Sequence, residues 1–206
     1  MKTKLFLFVA LIMATVSVAN AQSKGYEKSI ELNGGVGLDN YSKYSFGISM
    51  INGYRFSDYF YLGAGVGYKN INSLYYTSTN YVGGRYTGYY ESFDSRNLIQ
   101  IYARAKASLS KGRISPFFQF DVGGSLDLNS NKDAGTASGV VLEPAFGVDF
   151  KTKDPKTAIY VSVGYNMQGM SYRKWDLDPN VVGTSAGDVM KNGLAGQLSF
   201  RVGIIF

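Results

Sequence analysis

Apolar side chains recur at every second position along most of this chain, in segments of roughly ten residues whose intervening positions are polar, charged or glycine. Successive strand residues point to opposite faces, so each segment reads as a β-strand with one apolar and one polar side. The clearest is Gly196 to Phe206. There Leu198, Phe200, Val202, Ile204 and Phe206 share one face, and Gln197, Ser199, Arg201 and Gly203 share the other.

Eight such segments can be counted. The first runs from Tyr26 to Leu38, with Ile30, Leu32, Val36 and Leu38 opposite Glu31, Asn33, Gly35 and Gly37. The second, Tyr44 to Phe56, aligns Phe46, Ile48, Met50, Tyr54 and Phe56. Asn52 falls on that apolar face, and a place near a membrane interface explains it better than a bulge. The third, Tyr59 to Lys69, turns Phe60, Leu62, Ala64, Val66 and Tyr68 one way and Gly63, Gly65 and Gly67 the other. Its GAGVG run is not a phosphate loop, because the glycines keep strict period two and no helix follows to receive an anion.

The fourth, Leu98 to Leu109, sets Ile99, Ile101, Ala103, Ala105, Ala107 and Leu109 against Gln100, Tyr102, Arg104 and Lys106. The fifth sets Phe118, Phe120, Val122 and Leu126 against Gln119, Asp121, Gly123, Ser125 and Asp127. In the sixth, Val140 to Lys151, Glu143, Gly147, Asp149 and Lys151 oppose an apolar face in which Pro144 predicts a local irregularity, since it has no N–H for the ladder. The seventh places Ile159, Val161, Val163, Tyr165 and Met167 opposite Tyr160, Ser162, Gly164, Asn166 and Gln168.

The breaks between segments alternate in length. Short ones fall near Ser57, Lys111 and Lys153; longer ones fall near Asp39 and over Asn70 to Ser95, Leu128 to Ser138 and Gly169 to Lys191. An apolar-outside wall with alternating short and long connections describes a membrane barrel, in which every backbone group is satisfied by a neighbouring strand. The expected fold is therefore all-β: an eight-stranded antiparallel up-and-down transmembrane β-barrel after a cleaved signal peptide. An even strand number puts both termini on the periplasmic side and the long loops outside the cell, in the outer membrane of a Gram-negative envelope.

The leader supports export. Lys2 and Lys4 precede an apolar run from Leu5 to Val18, and Val18, Ala19, Asn20 and Ala21 supply an A-x-A cleavage site. Residues 1–21 are expected to be removed, leaving residues 22–206 as one barrel domain. Without Lys2 and Lys4, 19 Lys and Arg stand against 15 Asp and Glu, a formal charge of +4 spread along strands with no basic run. That distribution argues against nucleic acid. The composition, with 17 Tyr, 13 Phe and 25 Gly against 4 Pro, suits strands, turns and interfacial aromatic girdles.

The chain contains no histidine and no cysteine. Acid–base and nucleophilic mechanisms that depend on imidazole or thiolate are thereby removed, and no catalytic, cofactor or metal site is expected. The inward charges Glu31, Arg55, Arg104, Lys106, Asp121, Glu143 and Arg201 read instead as an ion-paired polar core, because an eight-stranded barrel is just wide enough for side chains to fill it. A second reading of the same residues is a narrow small-solute channel whose salt bridges exchange partners. Outside the wall, Tyr75, Tyr76, Tyr81, Tyr86, Tyr89 and Tyr90 in the second long connection and Trp175 in the fourth are candidate contacts for a partner. Extension of the strands beyond the membrane accounts for the same tyrosines.

The turn and strand Arg55-Phe56-Ser57-Asp58-Tyr59-Phe60-Tyr61-Leu62-Gly63-Ala64-Gly65-Val66-Gly67-Tyr68, the leader ending ANAQ and the aromatic Phe206 give the chain a family likeness. It resembles the small OmpA- and OmpX-like outer-membrane barrels, and in detail the outer membrane protein beta-barrel domain proteins of Bacteroidetes. The resemblance spans residues 22 to 206. It implies a monomeric barrel in outer-membrane lipid, inserted by the barrel-assembly machinery with Phe206 in its recognition signal. Family members that act as accessory subunits of secretion or uptake systems imply an extracellular or membrane protein partner. The function expected is non-enzymatic: a structural or surface-interaction barrel.

Overall fold

Eight strands follow one another around a single closed sheet, each hydrogen-bonded to the next and the last to the first. The computed structural model describes residues 25–82, 85–129, 136–152, 157–176 and 187–206, with side chains for all of these except 78–82, 85–90, 175–176 and 187–189. The strands are β1 (Tyr26–Gly37), β2 (Ser42–Arg55), β3 (Phe60–Val82), β4 (Arg85–Ser108), β5 (Ile114–Asp127), β6 (Gly139–Lys151), β7 (Ala158–Asp176) and β8 (Gly187–Ile205). Closure is antiparallel, from Ser29 opposite Ile205 to Gly37 opposite Gln197. Backbone bonds in both directions between Lys28 and Phe206 extend that seam by one residue.

The alternation read from the sequence is the alternation of the wall. Leu32, Phe46, Ile101, Phe118, Phe146 and Phe200 are exposed on the outside, while Glu31, Gln100, Arg104, Asp121, Glu143 and Arg201 are buried inside. The β1–β2 register passes through Lys28 opposite Asn52 without a shift, so no bulge explains Asn52. It stays on the outer face, where the Tyr26 hydroxyl donates to its Oδ1 at 3.5 Å. Pro144 has the predicted effect. Between β6 and β7 the ladder runs from Leu142–Met167 to Ala145–Gly164 and skips Glu143 and Pro144.

At one end of the barrel three short connections are closed by backbone bonds from Phe56 to Phe60, Leu109 to Pro116 and Thr152 to Thr157; we call it the turn end. At the opposite, loop end two of the long connections follow the reading in which strands extend beyond the membrane. Asn70 to Ser95 is not a loop, because β3 and β4 run on as one ladder from Phe60–Ala107 to Val82–Arg85. Gly169 to Lys191 is likewise mostly strand, with β7 and β8 paired up to Asp176–Gly187. Backbone groups that leave the wall remain paired within each hairpin, so the strands need not stop where the barrel stops.

The two long hairpins also meet. Tyr76, Thr77 and Ser78 of β3 pair in parallel with Arg173, Lys174 and Trp175 of β7. These strands stand four apart in a ring of eight, so their pairing bridges the mouth from opposite sides. A bulge between Leu74 and Tyr76 precedes the bridge and leaves both Ser73 and Leu74 buried.

Candidate functional site

Alternation along β1, β4, β5, β6 and β8 points Glu31, Arg104, Asp121, Glu143 and Arg201 at one another across the lumen. Arg104 is held from two sides. It donates to Asp121 from Nε and Nη2, both at 2.8 Å, and to Glu31 from Nη1 and Nη2 at 2.8 and 2.9 Å. Such two-pronged pairs use the planar fork of the guanidinium and fix its orientation. Arg201 continues the chain of charges, with Nη1 at 2.5 Å from Asp121, Nη2 on Glu143 and Nη1 at 3.6 Å from Glu31.

Hydrogen-bonding side chains complete the carboxylates. Tyr160 and Tyr102 donate to Glu31 at 2.6 and 3.3 Å; Asn166 donates to Glu143 at 2.6 Å, and Ser199 donates to its other oxygen. Lys69 in turn donates to Asn166 at 2.9 Å. Lys106 pairs apart from this network, with Asp149 at 2.6 Å, and its ammonium lies 3.9 Å from the centre of the Phe117 ring. Arg96 and Asp127 form another buried pair at 2.8 Å nearer the loop end.

Five of the seven lumen residues read from sequence thus share one network, and Lys106 lies beside it. Arg55 does not join them. It pairs with Glu27 at 2.6 Å at the turn end and is partly exposed. Among the described residues of the lumen proper, Lys69, Arg104, Lys106 and Arg201 face Glu31, Asp121, Glu143 and Asp149, four charges against four. A buried set of this kind is tolerated when each charge is paired and its remaining hydrogen bonds are made.

Apolar layers close the lumen above and below the charges. Phe117, Ala158, Tyr160 and Ile205 cluster at the turn end. Ile51, Tyr61 and Tyr102 line the wall between, Ile71, Leu98 and Ala137 form a layer toward the loop end, and Leu74, Met170 and Ala195 lie under Tyr41, Phe93 and Tyr172 near the mouth. The inward glycines make room for the rings. A Cβ on Gly65 would lie 2.5 Å from the Tyr102 ring, and one on Gly203 2.5 Å from the Tyr160 ring. Beside the network lies a cavity of about 20 Å³ bordered by Ser45, Ser49, Lys69, Gln100, Glu143 and Ser199, enough for a single water.

The third long connection is anchored inward. Gln168 donates to the Ala137 carbonyl at 2.9 Å, and Asp127 accepts from the Ala137 backbone at 3.1 Å. In the first, Asp39 caps Tyr41 at 2.9 Å and also accepts from the backbone of Gly196. Of the candidate loop contacts, Tyr75 and Tyr76 are half-buried, with the Arg96 guanidinium 5.7 Å from the Tyr75 ring and Tyr76 in the bridge to β7. The side chains of Tyr81, Tyr86, Tyr89, Tyr90 and Trp175 lie outside the described residues.

Sequence reasoning missed Phe117, Ile205, Ile51, Ile71 and Leu98 as lumen residues, because a membrane barrel was expected to be polar inside. Their signal was present: each occupies an inward phase of its own strand. The Lys69–Asn166 contact joins strands on opposite sides of the ring and has no local signature.

The chain is similar to known outer-membrane barrels. A family model described as "Outer membrane protein beta-barrel domain" matches residues 6–203. No curated protein matches the sequence. Among solved structures, the outer membrane protein OprG from Pseudomonas aeruginosa aligns with a TM-score of 0.57 at 9% identity, covering 91% of this chain and 98% of that one. Neisserial surface protein A aligns at 0.47 with 16% identity, over 90% of this chain and 99% of that one. The N-terminal β-barrel domain of Pseudomonas aeruginosa OprF aligns at 0.45 with 14% identity, over 87% and 97%.

Proposed function

The chain belongs to the outer membrane protein beta-barrel domain family, and from that membership we propose that it is a non-enzymatic, non-conducting barrel of the outer membrane that acts through the surface of its long hairpins. The observation that carries this reading is the filling of the lumen. Among the described residues of the lumen proper, buried carboxylates and cations are equal in number, apolar layers lie on both sides of them, and the cavity beside them, about 20 Å³, admits one water rather than a file of ions. Absence of histidine and cysteine from the sequence supports the non-enzymatic part.

Placement in the envelope follows the same proposal. Residues 1–21 are the export leader, the mature barrel is a monomer whose turn end faces the periplasm, and the hairpins face outward to meet a protein or other surface partner. Phe206, tied to β1 through Lys28, sits in the segment that the barrel-assembly machinery would recognise.

Planar-bilayer recording on the folded chain tests the proposal. The expected result is no unitary conductance from protein that migrates as a heat-modifiable folded species. A reproducible open state lost on Arg104→Ala or Glu143→Gln would overturn it in favour of a narrow channel.

A further inference from the structure

Buried polar groups without a protein partner gather under the bridge between the long hairpins. Gln197 of β8 stands opposite Gly37 of β1, and Ser42 of β2 stands opposite Ser73 of β3. Gly37 joins the two pairs, since a Cβ there would lie against the Ser42 backbone. These residues therefore form one inward row across four adjacent strands. Gln197 and Ser73 are 0% exposed and Ser42 is 2% exposed, yet among the described residues no protein group reaches Gln197 Nε2, Ser42 Oγ or Ser73 Oγ. Thr77 Oγ1, on the bridge itself, is buried in the same condition. Burial of such groups is unfavourable unless something completes their hydrogen bonds, and small polar molecules are what ordinarily does so.

The row leads inward to more of the same chemistry. Ser45 donates to Gln197 Oε1 at 2.8 Å and also borders the lumen cavity, where Ser49, Gln100 and the Lys69 ammonium are further lining groups. Beyond them the Arg104–Glu31–Asp121–Arg201–Glu143 network crosses the lumen, and beyond that the Phe117 cluster closes the turn end. The charge count of the lumen is balanced, so an ion arriving there would be uncompensated whereas an uncharged molecule would not. Above the row lies the apolar layer of Leu74, Met170 and Ala195 under Tyr41, Phe93 and Tyr172, and over that layer three residue pairs in parallel join hairpins whose own ladders do not depend on the join.

We propose that the loop-end half of the lumen is a one-sided chamber for water, with the β3–β7 bridge and the apolar layer beneath it as its gate and the ion network as its floor. Water enters from the loop end when the bridge parts, meets the unpartnered groups of Gln197, Ser42 and Ser73 on its way to the cavity, and leaves the way it came. The chamber is compatible with an absence of ion conductance, since nothing passes the floor.

A chain without native cysteine permits a direct test by single-cysteine labelling. Ser45→Cys reports from the chamber and Ser29→Cys, two residues turnward of Glu31, reports from below the floor. The bridge is cut back to its Tyr76–Arg173 pair by replacing residues 77–91 with Asn-Gly between the paired Tyr76 and Ser92, a two-residue turn that leaves the barrel ladder intact. Should that variant fail to fold, replacing residues 174–189 with Asn-Gly between the paired Arg173 and Met190 cuts the bridge from the other hairpin. Opening the bridge should accelerate reaction of Ser45→Cys with neutral methyl methanethiosulfonate by roughly tenfold and leave Ser29→Cys unchanged. Charged methanethiosulfonates, normalised to their rates on a free thiol, should lag the neutral reagent at Ser45→Cys. An unchanged Ser45→Cys rate would overturn the gate, equal acceleration at Ser29→Cys would overturn the floor, and equal rates for charged reagents would overturn the preference for neutral molecules.

Discussion

Arg104 and Asp121 lie directly opposite each other on neighbouring strands and meet through two parallel hydrogen bonds of 2.8 Å, in a lumen where both are buried. Replacing Arg104 with methionine would leave Asp121 and Glu31 each short of a partner. Breaking a buried pair from one side costs about 3–5 kcal/mol, so Arg104→Met should lower the urea midpoint of the folded barrel by a corresponding amount. Arg104→Lys, which keeps the charge but loses the fork, should fall between the two.

Gly65 and Tyr102 are coupled by space rather than charge. A valine at position 65 would drive its branches into the Tyr102 ring, an overpacking that costs about 1–3 kcal/mol. In Gly65→Val combined with Tyr102→Ala the cavity and the added bulk offset each other, and the loss should be smaller than the sum of the single losses. Unfolding of the two singles and the double under one set of conditions checks the sign of the coupling.

Phe117 fills the turn end against Tyr160, their ring centres 6.2 Å apart, and lies under the Lys106 ammonium. Phe117→Ala should destabilise the barrel by about 3–5 kcal/mol, the range for removing a fully buried aromatic ring. Thermal loss of the heat-modifiable gel shift gives the ranking against wild type. A near-neutral outcome would show that the seal is dispensable.

Asn52 sits on the outer face near the turn end, within reach of the Tyr26 hydroxyl. If it lies at the membrane interface, Asn52→Leu should change stability in lipid vesicles by less than about 1 kcal/mol. A larger stabilisation would place the residue in the hydrocarbon.

The wall was legible in the sequence because period two is a local signal and a lipid-facing strand obeys it without exception for most of its length. The lumen was legible only in part. Glu31, Arg104, Asp121, Glu143 and Arg201 were recognisable as inward charges, but which of them touch depends on shear and on distances across the ring, neither of which has a local trace. Arg55 shares their phase and lies too close to the turn end to reach them. Phe117 and Ile205 were passed over because the inner face was read as uniformly polar, whereas a narrow barrel needs apolar bulk wherever charges run out of partners. The extent of β3 and β7 was hidden for a different reason. Tyrosine and threonine favour a strand whether or not a membrane surrounds it, so composition alone does not mark where the wall stops and the hairpin continues.

Barrel closure joins β1 to β8, and that seam also joins the two ends of the charge network, Glu31 from the first strand and Arg201 from the last. Before the eighth strand docks, the shared network holds three carboxylates, Glu31, Asp121 and Glu143, against Arg104 and Lys69 alone. A sheet that has paired seven strands and remains open therefore carries an unneutralised acid in a space about to lose its water. Completion of the backbone ladder and completion of charge neutrality are the same event, which makes the final seam cooperative with the interior and discriminates against barrels that close one strand short.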